Sequence, residues 1–321
     1  MRIGIDMMGG DFAPLETTLG VIQARKELDR RYSLVLIGNE PEIRDLIRQY
    51  HGNESDFIFV HTEEVIGMAD HPTKSFQQKP KSSIPVGFHL LKEKKIDAFA
   101  SAGNTGAMMV GSMLSVKTIP GIVRPAISSI VPKEDGGLGI ILDVGINADC
   151  KPEMIQQFAV LGSIFAESVY HIKNPKIGLV SIGEEDEKGN VLTKESHQLL
   201  KTTHGINFIG NIEGRDMFNN KADVIVCDGF TGNVMLKLAE SFHSLLLKRN
   251  IHDDYFDRFD FENYGGTPVL GVNSTVIIAH GISNAKAIKN MILLTREVID
   301  AELPEKISRA LNETTISELP K

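Results

Sequence analysis

The chain has 321 residues, of which 42% are hydrophobic and 24% are charged, and it contains 29 glycines and 13 prolines. This composition supplies enough apolar side chains for a buried core, which excludes an intrinsically disordered protein. The formal net charge of −8 argues against a nucleic-acid-binding protein, which needs an excess of lysine and arginine to meet phosphates.

Short apolar strands alternate with amphipathic helices along almost the whole chain. Several strands are nearly continuous apolar runs, which is typical of strands buried on both faces. The alternation predicts a mostly parallel sheet with helices on both sides, and we expect one large α/β unit spanning residues 1–321. The predicted strands are 2–6, 33–38, 57–62, 98–103, 139–145, 176–183, 207–212, 223–229 and 275–281, and the clearest helices are 151–170 and 232–249.

Cysteine usage and the N-terminal residues bear on the compartment. Cys150 and Cys227 are too few for a disulfide framework, and neither lies in a CxxC pair that could build a zinc site on thiolates. Residues 1–11 contain Asp6 and no long apolar run, so we expect no signal peptide. The sequence predicts a cytoplasmic protein and leaves peripheral contact with the membrane open.

Many of the predicted strands end in a polar residue or a glycine, followed by a turn that contains glycine. Open parallel sheets bind ligands in the crevice beyond the carboxyl ends of their strands. We therefore expect these strand ends to form one shared site. The strand ends concerned are Asp6, Ala102, Asp143, Asp228 and His280.

Residues 101–107, SAGNTGA, form the first candidate anion site. Gly103 permits a sharp turn, and a helix is predicted to begin near Asn104–Gly106. The free N–H groups of a first helical turn, together with the helix dipole, bind anions such as phosphate. A plain strand–helix turn with a cap fits the spacing equally well.

Residues 228–237, DGFTGNVMLK, repeat this design after another buried strand. Thr231 and Asn233 can cap the helix, and Lys237 is predicted to lie one turn into it. This loop could hold the second anionic group or the carbonyl of a substrate. For Lys237 alone, a solvated lysine on a helix is the favoured alternative.

The loop 182–190, IGEEDEKGN, carries one cation, Lys188, among four acids. A fixed cation there could reach a phosphate or a developing oxyanion and lower the barrier to reaction. The alternative, a lysine that balances Glu184, Glu185, Asp186 and Glu187, is slightly better on the local sequence.

Three other polar residues stand at strand or helix ends. Asp6 either orients a ligand or fixes its turn, and Asn147 precedes the helix over 151–170. His280 either transfers protons or is a core histidine bonded to backbone. Neither cysteine is predicted to be a nucleophile, because no neighbouring residue indicates an activated thiolate.

Nine segments, in the same order along the chain, resemble motifs of the bacterial phosphate acyltransferases of phospholipid synthesis. Each motif is modest, but nine in order are specific. They are DMMGGDFAP (6–14), SAGNTGA (101–107), RPAI (124–127), LDVGINAD (142–149), IGEEDEKGN (182–190), FIGNIEGRD (208–216), DGFTGNVMLK (228–237), YGGTPVLG (264–271) and HGISNAKA (280–287).

The resemblance implies an enzyme that transfers a fatty acyl group from acyl carrier protein to inorganic phosphate. The acyl phosphate then serves glycerol-phosphate acylation, which makes a glycerol-phosphate acyltransferase a further expected partner. It also implies a homodimer without metal or organic cofactor. The implied fold is a three-layer α/β/α arrangement similar to isopropylmalate dehydrogenases and phosphotransacetylases.

Within this family the lysine of the KG loop is thought to matter for catalysis, and it corresponds to Lys188. The expected mechanism is direct transfer, with positioning and charge control dominant. We expect Lys188, Asp228 and His280 to be catalytic, the latter two by orienting groups or by moving a proton to the leaving thiol. The expected substrate-binding residues are Asp6, Gly103, Asn104, Thr105, Gly106, Asn147, Asn233 and Lys237.

Residues 250–263, called the tip below, depart from the family, which generally has a longer helical insert there. The tip is acidic and aromatic. Its carboxylates would be repelled by anionic lipid, which puts membrane docking through the tip in doubt.

The acidic carrier protein should meet a basic patch. The densest lysines are Lys74, Lys79 and Lys81 with Lys92, Lys94 and Lys95, although a solvated helix face explains the last three equally well. Three rivals stay open: a phosphotransacetylase that uses acyl-coenzyme A, a dehydrogenase of related fold, and a non-catalytic scaffold for downstream acyltransferases.

Overall fold

A computed structural model describes residues 1–317. The contacts within the chain divide it into two compact units. Unit 1 comprises Met1–Thr118 and Phe261–Glu302, and unit 2 comprises Ile119–Asp260 and the chain from Leu303 onward. The organisation of residues 1–321 as one large unit stays a prediction.

The described residues form strands and helices in alternation. The strands are β1 (Arg2–Asp6), β2 (Ser33–Gly38), β3 (Phe57–His61), β4 (Ala98–Ser101), β5 (Ala126–Pro132), β6 (Leu138–Leu142), β7 (Lys176–Val180), β8 (Asn207–Ile212), β9 (Val224–Val226), β10 (Thr267–Leu270) and β11 (Thr275–Ile278). The helices are α1 (Leu15–Glu27), α2 (Glu40–Gln49), α3 (Pro72–Gln78), α4 (Ser83–Lys92), α5 (Thr105–Gly111), α6 (Pro152–Tyr170), α7 (Val191–Thr202), α8 (Gly229–Lys248), α9 (Ala285–Asp300) and α10 (Leu303–Ser317).

In unit 1 the strand order is β3-β2-β1-β4-β11-β10, and only β10 is antiparallel to its neighbour within the unit. The central strand β1 is buried on both faces, with Ile3 and Ile5 fully enclosed. Helix α9 packs against β1, β4 and β11 and against α1. Gly20 allows the close approach of α1 and α9, because a Cβ there would lie 2.5 Å from Ile288. This packing fixes the ends of β1, β4 and β11 side by side.

In unit 2 the strand order is β5-β6-β9-β7-β8, with β5 antiparallel to β6 and the other pairs parallel. All three residues of β9 are buried. Helix α6 packs on β6 and β9, where Gly162 lies against Val224 and Leu142. The ends of β6, β7 and β9 are thereby brought to one edge of this sheet.

The prediction of an α/β fold with a mostly parallel sheet is confirmed, and all nine predicted strands are present. Most of them end earlier than predicted, because their final polar and glycine residues form turns. Two strands were missed, β5 and β10, and these are the antiparallel ones. Helix α8 begins at Gly229 rather than at 232, because Asp228 caps it by accepting from the Thr231 N–H.

The tip does not project as a bare apolar segment. Phe259 stacks edge-on against Phe218 and against Tyr255, with ring centroids 5.3 and 5.4 Å apart. Arg258 donates to the carbonyls of Lys133 and Gly137 in the β5–β6 turn. Tyr255 and Phe259 of the tip therefore pack within unit 2. No helix in the described residues is long and apolar enough to cross a membrane.

The β5–β6 turn contains a buried lysine. Lys133 is only 2% exposed, and its Nζ donates to the Met217 carbonyl at 2.9 Å. Desolvation lowers the pKa of Lys133 to about 8. Its stem passes over Gly139, where a Cβ would lie 2.5 Å from Lys133 Cε. Because the ammonium is costly to bury, this turn is more stable when Lys133 is neutral.

This lysine gives a pH dependence with a definite sign. Below pH 8 Lys133 is charged in both the folded and unfolded chains, so the folded state carries the full burial cost. Between pH 8 and 10.5 the folded chain loses this proton first, and stability rises. The free energy of unfolding of the wild type minus that of Lys133→Met should increase by roughly 1–3 kcal/mol over this range. Urea unfolding at pH 7.5, 9 and 10.5 measures it, and a constant difference would contradict the prediction.

Candidate active site

In unit 1, a buried carboxylate joins the loops that follow β1 and β4. Asp6 is 1% exposed, and its Oδ2 accepts from Ser101 Oγ at 2.7 Å. Ser101 Oγ in turn accepts from the Gly103 N–H at 2.9 Å. Desolvation raises the pKa of Asp6, although the hydrogen bonds from Ser101 and from the Met8 N–H act against this rise. A Cβ at Gly9 would lie 2.7 Å from the Gly103 nitrogen, so the two loops approach this closely only because residue 9 is glycine.

Asn104 caps α5, and both ends of its amide are occupied. Its Oδ1 accepts from the Ala107 N–H at 3.0 Å. Its Nδ2 lies 3.0–3.1 Å from the carbonyls of Gly67, Met68 and Asp70, and it has two hydrogens to donate to them. The expected role of the Asn104 side chain in holding phosphate is therefore corrected, because this amide clamps the 67–70 loop. The backbone N–H groups of Thr105 and Gly106 open the helix and have no preceding turn to bond.

His280 follows β11 in the same unit. The Ala279 N–H donates to the Ser101 carbonyl at 2.9 Å, which places the end of β11 beside the end of β4. The His280 ring lies against Phe261, with centroids 4.7 Å apart. Unit 1 therefore brings the strand ends that carry Asp6, Ser101 and His280 to neighbouring positions.

In unit 2, Asp143 organises the loop that follows β6. It has no exposed surface, and its two oxygens accept five hydrogen bonds of 2.6–3.2 Å. Desolvation raises the pKa of Asp143, and these hydrogen bonds counteract the rise. The donors are the N–H groups of Ile127, Val144, Ile146 and Asn147 and the Asn147 Nδ2.

Asn147 connects this loop to the start of α8. Its Nδ2 donates to Asp143 at 3.0 Å and to the Pro125 carbonyl at 2.9 Å, which uses both amide hydrogens. The backbone carbonyl of Asn147 accepts from the Gly229 N–H at 2.7 Å. The expectation that the Asn147 side chain donates to substrate is corrected, because its donors are spent within the loop.

Two further predicted site residues, Asp228 and Asn233, lie at the start of α8. Asp228 accepts from the Thr231 N–H at 2.9 Å and from Thr231 Oγ1 at 2.7 Å, so it caps the helix. Asn233 lies half-buried beside Gly145, where a Cβ would approach its Nδ2 to 3.0 Å. Gly145 has φ +118°, which glycine adopts readily. Within residues 1–317 the Asn233 amide has no hydrogen-bond partner, so it is available to a ligand.

Lys237 lies more than two turns along α8 and is paired with Glu240 at 2.7 Å. The predicted position, one turn into the helix, was wrong because the helix begins at Gly229. The structure therefore corrects Lys237 to the favoured alternative, a lysine on the exposed face of a helix.

Lys188 is exposed and has no ion pair in the described part of the chain. Two of the neighbouring acids have other cationic partners. Glu184 pairs with Lys221 at 2.7 Å, and Asp186 pairs with Lys201 at 2.9 Å. Glu185 and Glu187 have no ion pair among the described residues either, and neither forms one with Lys188. The Lys188 ammonium is therefore exposed and not in contact with a carboxylate.

A cavity of about 400 Å³ lies beside this loop and the start of α8. Its wall is apolar at Ile155, Leu179 and Leu192, and polar groups stand among them. Ser196, which lines it, has no exposed surface, and its Oγ has no hydrogen-bond partner among the described residues. The sequence analysis missed Ser196, since a serine on an amphipathic helix carries no signal of its own. The other polar lining residues are Ser181, Asn190, Thr193, Asp228 and Thr231.

The cysteines are unsuited to nucleophilic attack. Desolvation raises the pKa of Cys150 to about 12 and that of Cys227 well above its ordinary value. Thiolate, the reactive form, is therefore scarce at neutral pH in both side chains.

Solved structures match the fold over most of the chain. A phosphotransacetylase from Streptococcus pyogenes superimposes with a TM-score of 0.68 at 17% identity, covering 95% of this chain and 94% of the other. A branched-chain phosphotransacylase from Enterococcus faecalis V583 gives 0.62 at 13% identity, covering 92% and 98%. At these identities the likeness establishes the fold alone.

Sequence comparison establishes the family. The family model described as "Fatty acid synthesis protein" matches residues 1–306. A protein named phosphate acyltransferase from Dictyoglomus turgidum is 45% identical over 98% of this chain and 99% of its own length. Another of that name, from Thermoanaerobacterium thermosaccharolyticum, is 42% identical over 97% of each chain. The chain therefore belongs to the fatty acid synthesis protein family, among the phosphate acyltransferases, and is an acyltransferase.

Proposed function

We propose that this acyltransferase moves a fatty acyl group from the thioester of acyl carrier protein to inorganic phosphate. The product, an acyl phosphate, would serve phospholipid synthesis through a glycerol-phosphate acyltransferase. The observation that carries the proposal is the unpaired ammonium of Lys188, held by a loop that borders a cavity with an apolar wall. A cation and an apolar recess are what an anionic acceptor and a fatty acyl donor require.

The proposed chemistry is one direct transfer. A phosphate oxygen attacks the thioester carbonyl carbon, the tetrahedral intermediate collapses, and the C–S bond breaks. The sulfur leaves as a thiolate and takes up one proton. Phosphate is already ionised at neutral pH, so it needs a positioned cation more than a strong base. Lys188 is proposed to stabilise the charge on phosphate or on the oxyanion, with Asn233 as a further donor.

The cavity is proposed to receive the thioester end of the acyl group. Its apolar wall suits the first methylenes of the chain. A buried hydroxyl without a partner, as at Ser196, costs on the order of 1–3 kcal/mol. A carbonyl of the donor would remove that cost by accepting from Ser196 Oγ.

The remaining predicted residues are proposed to bind an anion, to hold a helix or to transfer a proton. The N–H groups of Thr105 and Gly106 are proposed to bind an anion. The expected role of Gly103 is corrected, because its N–H already donates to Ser101 Oγ beside Asp6. Asp228 is proposed to hold the start of α8, and Asp228 or His280 to deliver the proton to the thiolate. The protein is further proposed to be a cytoplasmic homodimer that works without metal or organic cofactor.

For the carrier protein, two lysines of the predicted patch are the best candidates. Lys79 is paired with Asp70 at 2.6 Å and donates to the Val65 carbonyl. The lysines at 92, 94 and 95 lie at the end of α4, where cations stabilise a helix terminus. Lys74 and Lys81 are exposed and have no ion pair in residues 1–317, so we propose that they meet the acidic carrier.

The reaction itself is tested with purified protein, a long-chain acyl carrier protein and labelled phosphate. We expect acyl phosphate that disappears when phosphate is omitted. Product from acyl-coenzyme A but not from acyl carrier protein would replace the proposed donor. No product from either thioester, with the protein folded, would overturn the proposed activity.

Lys188→Ala should lower kcat by about 10²-fold or more at saturating phosphate, because the charge that stabilises the transition state is gone. Lys194→Ala is the matched control, since Lys194 is an exposed lysine on α7. Steady-state kinetics of both variants measure the effect. Near-normal turnover of Lys188→Ala would remove Lys188 from the mechanism.

Reversing charge at Lys74 and Lys81 together, to Glu, should raise the KM for acyl carrier protein about tenfold, through weaker electrostatic attraction. The rate with acyl-coenzyme A should stay within twofold. The control reverses Lys92 and Lys94, which are exposed lysines of the same unit. Equal effects of both double variants, or an equal loss with acyl-coenzyme A, would contradict this docking surface.

A further inference from the structure

A buried histidine lies directly behind the loop that carries Lys188. His197, on α7, is 2% exposed, and both of its ring nitrogens have polar partners. Nδ1 is 2.9 Å from Asn211 Oδ1, and Nε2 is 3.2 Å from Asp186 Oδ1. The ring packs edge-on against Phe208, with centroids 5.2 Å apart. The histidine is therefore held firmly between β8 and the acidic loop.

Both partners present an oxygen to the His197 ring. Asn211 Nδ2 donates to the Glu185 carbonyl at 2.8 Å, so the oxygen of the amide is the atom that faces His197. An amide oxygen only accepts, which requires a hydrogen on Nδ1. Asp186 is a carboxylate that also receives Lys201 at 2.9 Å. Both ring nitrogens of His197 therefore face acceptor oxygens.

The contacts of His197 with Asp186 and Asn211 lead to the turn at residues 185–188, which carries Lys188. Asp186 is bonded to His197 directly. The Glu185 carbonyl accepts from Asn211 and also from the backbone N–H of Lys188 at 3.0 Å. Any movement of this turn therefore moves the Lys188 backbone.

We propose that His197, through Asp186 and Asn211, is a positioning residue that holds Lys188 in its working place. This inference rests on the proposed function, because it assigns His197 to the catalytic lysine of that reaction. His197 itself touches no substrate. It acts by keeping the turn at 185–188 in one conformation, which spares the lysine the entropy of ordering during the reaction.

The test weakens the charged contact without opening a buried site. Asp186→Asn keeps the shape of a half-exposed side chain and removes its charge. We expect kcat to fall three- to tenfold, with the KM for acyl carrier protein within twofold and an unchanged thermal midpoint. Glu195→Gln makes the same change of charge on the exposed face of α7, and it should leave kcat within twofold.

A double-mutant cycle separates positioning from a general structural effect. In a Lys188→Ala background, Asp186→Asn should have no further effect on kcat, because there is no ammonium left to position. His197→Gln, which keeps one donor in a neutral side chain, should show the same loss in kcat and the same absence of effect without Lys188.

The outcomes are distinguishable. The same fold-loss from Asp186→Asn with and without Lys188 would overturn the positioning role, as would wild-type turnover of Asp186→Asn. If Lys188→Ala itself is fully active, the proposed function fails first. If Lys188→Ala is impaired and Asp186→Asn is normal, only the inference about His197 fails.

Discussion

The carboxylate of Asp143 has no contact with solvent, so its two oxygens must find their donors within the protein. They find five, all within 3.2 Å, and four of them are backbone N–H groups. The loop after β6 therefore turns its backbone N–H groups toward the Asp143 carboxylate. Because the Asn147 carbonyl then accepts from Gly229, the same loop determines where α8 begins. Asp6 imposes a similar constraint in unit 1, where Ser101 and Gly103 are arranged around a buried carboxylate.

The carboxylates of the acidic loop, residues 182–190, are exposed, unlike those of Asp143 and Asp6. Because water solvates them, they do not require hydrogen-bond donors from the protein. Glu184 pairs with Lys221, which lies shortly before β9, and Asp186 pairs with Lys201 on α7. Those pairs are worth little for stability at the surface. Their consequence is local, since they engage two of the four acids that lie near Lys188 in sequence. In a loop with four acids, the one lysine thus stays exposed and outside any ion pair of the described residues.

Much of the fold could be predicted from periodicity, because strands that are buried on both faces are apolar throughout. β5 could not, since Ser128 and Ser129 interrupt its apolar pattern, and β10 could not, since it is four residues long and contains Pro268. The candidate site was predicted from residue types. A residue type does not reveal whether its N–H groups already donate to other groups of the protein. The amides of Asn104 and Asn147 looked available, yet backbone carbonyls and a carboxylate engage them. The importance of His197 depends on Asn211 in another element, which no local pattern indicates.

The tip is joined to the β5–β6 turn by hydrogen bonds from two of its side chains. Here Arg258 closes the β5–β6 turn, and Tyr255 donates to the Pro132 carbonyl at 3.2 Å. The aromatic rings are half-buried against that turn, while Asp253 and Asp254 stay exposed. Ile251 is also exposed, but carboxylates that face solvent are repelled by anionic lipid. Because Lys133 belongs to this turn, the tip's packing and the buried lysine's charge act on the same short stretch of backbone.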